Sequence, residues 1–86
     1  MSASGGENER EVDVRRLPVA LGVFLKLAGA VRSGGEAKER ILSGGVRVNG
    51  QEERRRGRSL VDGDRVWIAG MRLRVTDAGL DGPTGQ

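Results

Sequence analysis

The chain has 86 residues, of which 36% are hydrophobic, so it can form one small core and hardly more than one domain. It contains neither cysteine nor histidine, which excludes disulfides and thiolate zinc sites and removes the commonest general base, so we expect no enzyme activity, cofactor, metal or small-molecule substrate. The net charge of +3 is unevenly spread: residues 15–58 hold eleven Lys or Arg and four acids, a net +7 that is typical of a polyanion-binding surface.

The two ends of the chain differ in composition from its middle. Residues 1–10 and 77–86 are rich in Gly, Ser, Pro and acids without periodicity, which predicts disordered tails on either side of a domain at 11–76. The N-terminal segment is acidic where a signal peptide would be basic and then apolar, and no apolar run approaches the ~18 residues of a membrane span. We therefore expect a cytoplasmic protein with no membrane contact.

A strand and a helix are predicted next. "EVDVRR" alternates valine with polar residues, which favours a short strand, and "LGVFLKLA" has the periodicity of an amphipathic helix. Its apolar residues at i, i+3, i+4 and i+7 are Leu21, Phe24, Leu25 and Ala28. Val23 and Leu27 are expected to widen the buried face, leaving Gly22 and Lys26 as a narrow exposed strip, and Gly29 to end the helix.

The tripeptide Ser-Gly-Gly stands on both sides of a second helical segment. Ser33 followed by Glu36 is a capping box, in which the hydroxyl accepts from the N3 amide and the glutamate reaches back to the cap amide. Gly44 or Gly45 supplies the left-handed residue that closes the helix. So short a helix must pack against the first one. Its apolar contacts are expected from Ala37, Ile41 and Leu42.

Lys38 falls between Ile41 and Leu42 on a helical wheel, inside the predicted apolar arc. Two interpretations are open. The stem of Lys38 covers part of the core while its ammonium group reaches solvent, or the ammonium group lies at the rim of a groove between helix and hairpin, where a phosphate binds.

"VRVNGQ" predicts a β-hairpin with a type I′ turn at Asn49-Gly50. Its returning arm, "QEERRR", has no apolar residue and is therefore expected to be an exposed edge. The arginines it presents to solvent are Arg54, Arg55, Arg56 and Arg58. Basic clusters also serve as solubility or localisation devices, but planar guanidinium groups after a tight hairpin suit bidentate phosphate contacts.

The turn "VDGD" leads into "RVWIAG" and "MRLRV", which predict two further antiparallel strands. The resulting fold class is α+β: two short helices packed on a small, mainly antiparallel sheet of four or five strands. Phe24 is expected inside, so only Trp67 is left as a stacking platform on the outer face. This scarcity argues against a single-strand binder and favours recognition of the backbone shape of structured RNA.

From about Val12 to Val75 the chain resembles the ribosomal protein S4-type RNA-binding domain, the αL motif, and in particular its short stand-alone bacterial members. The resemblance rests on "LGVFLKLAG", "SGGEAKERI", "GGVRVNG", "RRGRSL" and "DGDRVWI", in that order. It implies two helices forming an L against a small sheet and binding structured RNA, usually ribosomal or transfer RNA, in translation. The implied RNA contacts are Lys26, Ser33, Lys38, Arg47, Asn49, Arg54, Arg55, Arg56 and Arg58.

Three positions depart from that family pattern. Ala20 stands where relatives often have a threonine cap, which predicts a weaker start for the first helix. Glu52 and Arg54 stand where relatives often have valine and threonine, which predicts a frayed hairpin arm.

Two competing functions share the basic surface. A protein-interaction adaptor would dock an acidic partner through it, and a duplex DNA binder would need an exposed polar helix for the major groove, which this sequence lacks. We expect a monomer that binds structured RNA. This function requires that Lys26, Lys38 and the four arginines converge on one concave face in the fold.

Overall fold

Seven strands and two helices follow one another in the computed structural model, which describes residues 9–78. The strands are β1 (Glu9–Val14), β2 (Val19–Ala20), β3 (Val46–Val48), β4 (Gln51–Glu52), β5 (Ser59–Leu60), β6 (Arg65–Ile68) and β7 (Met71–Asp77). The helices are α1 (Leu21–Leu27) and α2 (Gly34–Leu42).

Five strands form one mixed sheet in the order β1-β7-β6-β3-β4. The pairs β3–β4, β3–β6 and β6–β7 are antiparallel, whereas β1 runs parallel to β7. The predicted α+β class with two helices on a mainly antiparallel sheet is confirmed. The short antiparallel ribbon of β2 and β5 was not predicted, and it brings the chain just before α1 beside the chain that follows residue 58.

The outer strands reach slightly past the predicted limits of the domain at 11 and 76. Glu9 and Arg10 pair with β7, and Asp77 pairs with Val14 of β1. Apart from residues 9, 10, 77 and 78, the expected tails lie outside the described residues.

The core lies between the helices and one face of the sheet. Strand alternation turns valine, isoleucine and leucine side chains of β3, β6 and β7 inward, where they pack with the helices. The fully buried helix residues include Leu21, Phe24, Leu25, Ala37 and Ile41. The other face of the sheet carries Arg47, Trp67 and Arg72 and is exposed.

Helix α1 begins without a side-chain cap, as expected from Ala20. Backbone carbonyl groups of a later loop replace it, because the amide of Leu21 donates to the oxygen of Arg58 at 2.8 Å and that of Gly22 to the oxygen of Arg56 at 3.0 Å. These bonds satisfy two of the amides that a helix start leaves unpaired. The helix closes through Gly29, with φ of +74°, as predicted.

The exposed face of α1 differs from the prediction. Gly22 is buried, and a Cβ placed on it would lie 2.7 Å from Cγ of Arg56. Val23 and Leu27 were expected to widen the buried face, but they are 50% and 58% exposed. That expectation was wrong because the core covers one side of this short helix, while the loop before β5, not solvent, covers Gly22.

Helix α2 begins and ends as its two Ser-Gly-Gly stretches predict. Oγ of Ser33 accepts from the amide of Glu36 at 3.1 Å, and Gly44, with φ of +85°, closes the helix. The carboxylate of Glu36 accepts from the amide of Arg32 at 2.7 Å, so the prediction that it reaches the Ser33 amide was wrong by one residue. Leu42 was expected to pack inward and is 53% exposed.

The predicted hairpin of β3 and β4 is confirmed, since Asn49 and Gly50 both have positive φ, 53° and 87°. A second turn of this kind, with φ of 52° at Ala69 and 80° at Gly70, joins β6 to β7. Positive φ is rare for alanine, so the sequence Ala69-Gly70 is a weaker signal for this turn than Asn49-Gly50 is for the first one.

Candidate nucleic-acid interface

A cleft of about 280 Å³ opens where α1, the start of α2 and residues 53–58 meet. We call residues 53–58 the arginine loop and this cleft the helix cleft. Its lining includes Gly22, Val23, Lys26, Gly34, Arg56 and Gly57. The cations Lys26 and Arg56, thirty positions apart in the chain, therefore converge on one concave surface.

Lys38 lies on α2 one helical turn beyond the wall of the helix cleft. It is exposed and lies four residues after Gly34, so it occupies the same face of the helix one turn further on. Leu42, four residues later, is half exposed as well. The prediction that Lys38 sits inside a buried apolar arc was therefore wrong, and its ammonium group is open to solvent beside the cleft.

The arginine loop is held by a carboxylate that the sequence interpretation missed. Glu53 is only 7% exposed, its amide donates to the Val46 carbonyl at 3.0 Å, and its carboxylate contacts two arginines. Nε of Arg55 lies 3.0 Å and Nη1 of Arg58 lies 2.7 Å from its oxygens. Hydrogen bonds from Arg55 first, and then from Arg58, lower the pKa of Glu53 from 4.5 to about 2 despite burial.

These ion pairs divide the arginine cluster. Nε of Arg54 lies 2.6 Å from Glu52, while Arg55 and Arg58 share Glu53, so within residues 9–78 Arg56 is the member of the cluster without a carboxylate partner. Arg54 and Arg55 keep most of their surface in solvent, and a guanidinium group has further N–H donors after one ion pair. The expectation that all four are fully presented was wrong for Arg58, whose side chain is 33% exposed.

Two predicted contact residues lie away from the helix cleft. Arg47 is exposed on the sheet face opposite the helices, beside Trp67 of β6. Asn49 uses its side chain within the protein: Nδ2 donates to Asp64 at 3.1 Å, and Oδ1 accepts from the amide of Arg65 at 3.0 Å. The structure thus brings Lys26 and Arg56 together at the helix cleft, with Lys38 one turn beyond Gly34 on α2, whereas Arg47 and Asn49 lie elsewhere.

Ser33 directly precedes Gly34, a lining residue of the helix cleft, and its hydroxyl accepts a hydrogen bond from the Glu36 amide. Among residues 9–78 we find no helix long and apolar enough to cross a membrane. The same residues contain no group of three or more acidic side chains placed to hold a metal ion.

The protein is thus a small α+β domain with two helices packed on a sheet and basic residues beside the helices. These features can be compared with those of known domains. The sequence model of the S4 domain matches residues 12–76. The chain therefore belongs to the S4 domain family, as its resemblance implied.

Two relatives extend this finding. The fold is similar to the solution structure of YbcJ from E. coli, with a TM-score of 0.60 and 30% identity over 88% of this chain and 95% of that one. That structure is described as revealing an αL motif involved in RNA binding. The chain is also 48% identical over 53 residues to the probable ribosome maturation protein RlbA of Bacillus subtilis (strain 168), covering 62% of this chain and 75% of RlbA.

Proposed function

We propose that the protein is a non-catalytic RNA-binding module that recognises structured RNA, of the ribosomal or transfer class, through its phosphate backbone. The observation that carries the proposal is the convergence of Lys26 and Arg56 on the helix cleft, with Lys38 one turn further along α2. The αL motif of YbcJ, which is involved in RNA binding, and the probable ribosome maturation role of RlbA support it. The proposed protein is a monomer that acts in the cytoplasm, and the probable ribosome maturation role of RlbA favours ribosomal RNA as its target.

The helix cleft suits phosphates better than bases. No aromatic side chain lines it, so it offers no stacking platform. Among residues 9–78 no atom would lie within 4 Å of a Cβ on Gly34 or Gly57, so a phosphate can approach the backbone closely there. Lys26 then supplies a point charge and Arg56 a planar fork, which together hold a phosphate backbone without reading its sequence.

Binding to a labelled RNA hairpin, measured by fluorescence anisotropy between about 50 and 200 mM salt, tests the proposal. The double variant Lys26→Gln, Arg56→Gln should weaken binding and lower the salt slope by roughly 1.4 to 1.8, because each lost phosphate contact removes about 0.7 to 0.9. Arg65→Gln is the matched control, since this exposed arginine pairs with Glu9 at 3.0 Å on the opposite face of the sheet. Equal losses in both proteins, or a flat salt dependence of the wild type, would contradict the proposal.

One observation favours a second candidate, an adaptor that docks an acidic protein on the same face. Val23, Leu27 and Leu42 are each at least 50% exposed on α1 and α2, and apolar side chains among cations suit a protein partner. Affinity capture from lysate with and without nuclease treatment separates the two. Partners retained unchanged after RNA digestion would favour the adaptor over the RNA-binding module.

A further inference from the structure

The face of the sheet that points away from the helices carries an aromatic side chain between two arginines. Arg47 of β3, Trp67 of β6 and Arg72 of β7 are direct cross-strand neighbours. Trp67 is 37% exposed, and the guanidinium group of Arg72 lies 5.2 Å from the centroid of its ring. Cross-strand neighbours on one face lie close enough for their side chains to act together.

These three residues line a second cleft, the sheet cleft, of about 340 Å³. Its walls include Gly44 and Gly45, which follow α2, and Ala69 and Gly70, the turn between β6 and β7. These four wall residues have no side chain beyond Cβ, and Ile68 and Met71 complete the lining. A flat ring can therefore enter beside Trp67, and the volume lies at the low end of the roughly 300 to 1,000 Å³ of ligand clefts.

Within residues 9–78 neither Arg47 nor Arg72 makes an ion pair, although Oε2 of Glu52 would lie 2.7 Å from a Cβ on Gly44 in the cleft wall. The carboxylates that face these arginines in the strand register are turned to other partners: Glu9, opposite Arg72, binds Arg65 at 3.0 Å, and Glu52, opposite Arg47, binds Arg54 at 2.6 Å.

Two other arginines on this face contrast with them. Arg65 and Arg74 are paired with Glu9 and Glu11. If the cation–π contact served only to stabilise the sheet, it would explain the position of Arg72. It would not explain why Arg47 has no ion pair within residues 9–78, or why a cleft lies between the two arginines.

We propose that the sheet cleft binds one unpaired nucleotide of an RNA, with the base against Trp67 and the adjoining phosphates on Arg47 and Arg72. An aromatic ring attracts any base by stacking, and guanidinium groups stack on bases as well as binding phosphates. The inference rests on the proposed function, since the same RNA reaches both clefts. It specifies the substrate class further: a structured element at the helix cleft that continues into an unpaired segment.

The size of the protein permits this arrangement. The smallest principal extent of the fold is 21 Å, and a single strand of about ten nucleotides covers roughly 34 Å even when stacked at 3.4 Å per nucleotide. A tail of that length can therefore pass from one face of the domain to the other.

The intrinsic fluorescence of the protein reports on the sheet cleft alone, because the chain has one tryptophan and no tyrosine. The probes are an RNA hairpin with a single-stranded tail of about ten adenines and the same hairpin with a blunt end. The tailed hairpin should quench Trp67 and bind roughly fivefold tighter or more, as expected for stacking of one base. The blunt hairpin should bind without quenching.

Variants on each face separate the two clefts. Trp67→Leu should abolish the gain from the tail and Trp67→Phe should keep it, while circular dichroism checks that both variants fold. Arg47→Gln with Arg72→Gln should reduce the gain. Lys26→Gln with Arg56→Gln should weaken both hairpins by the same factor and leave their ratio unchanged.

The possible results distinguish the sheet cleft from the proposed function. Equal affinity for both hairpins with unchanged Trp67 fluorescence would overturn the stacking site and leave the helix cleft intact. Quenching by oligoadenylate alone, with no binding of either hairpin, would keep the stacking site and overturn the proposed function. Quenching by a polyglutamate peptide equal to that by the tailed hairpin would show a general anion surface and overturn nucleotide stacking.

Discussion

Replacing Glu53 by glutamine removes the buried carboxylate that pairs with two arginines of the arginine loop. The carboxylate contacts Arg55 and Arg58 while being 7% exposed, so Glu53→Gln leaves two guanidinium groups without their counter-ion. A fall of its pKa from 4.5 to about 2 sets an upper bound of about 3 kcal/mol on the stability gained at neutral pH, and screening around the exposed Arg55 reduces this to roughly 1 to 2 kcal/mol. For a domain of this size the loss should lower Tm by roughly 5 to 15 °C.

The effect should depend on pH in one direction. Because the pKa of Glu53 is lower in the folded protein, its stabilisation is complete above about pH 4.5 and disappears as the pH falls toward 2. The wild type and Glu53→Gln should therefore differ most above pH 5 and converge near pH 2. Urea unfolding followed by circular dichroism between pH 7 and pH 2 measures the gap.

Glu39→Gln is the matched control, because Glu39 is exposed on α2 and its side chain makes no hydrogen bond or ion pair within residues 9–78. This variant should differ from the wild type by less than about 0.5 kcal/mol. A gap between the wild type and Glu53→Gln that stays constant across the pH range would refute the assigned role of the carboxylate.

Four further substitutions test local features by urea unfolding. Ser33→Ala should cost about 1 kcal/mol through loss of the α2 cap, and no change would show that the cap is dispensable. Gly22→Val should cost roughly 1 to 3 kcal/mol, since a Cβ there lies 2.7 Å from Cγ of Arg56, whereas Gly34→Ala, with open space around it, should not destabilise the fold. Leu42→Gln should change stability by less than about 0.5 kcal/mol, and a loss of 2 kcal/mol would mean that this half-exposed side chain packs in the core.

Features decided within a few residues were predictable from the sequence. The Ser33 hydroxyl needs only the amide three positions on, and the Asn49-Gly50 turn needs only positive φ at two neighbours. Alternation along β3, β6 and β7 identified the inward side chains for the same reason. The helix, hairpin and strand order that these signals predict is enough to reach the α+β class.

Features that depend on distant parts of the chain were not predictable in this way. The half exposure of Val23 and Leu27 depends on which elements cover α1, and no periodicity contains that information. Alternation alone turns Arg47 outward, but its neighbour on that face, Trp67, comes twenty residues later and follows only from strand pairing.

The candidate site shows the same division. The sequence identified Lys26, Lys38 and the arginine cluster as cations, because charge is a property of composition. Their pairing is a property of geometry: Glu53 has acidic and basic neighbours and no apolar residue beside it, so nothing local marks it as buried.

The start of α1 has a consequence for which substitutions the helix cleft can accept. Its two acceptors are main-chain oxygens at positions 56 and 58, and every amino acid offers the same oxygen. The side chains at positions 54 and 56 can therefore be replaced without loss of the hydrogen bonds that begin α1. Deleting residue 55, in contrast, would misplace both acceptors. Altered ligand preference is thus accessible to evolution and to the protein engineer by substitution at constant loop length.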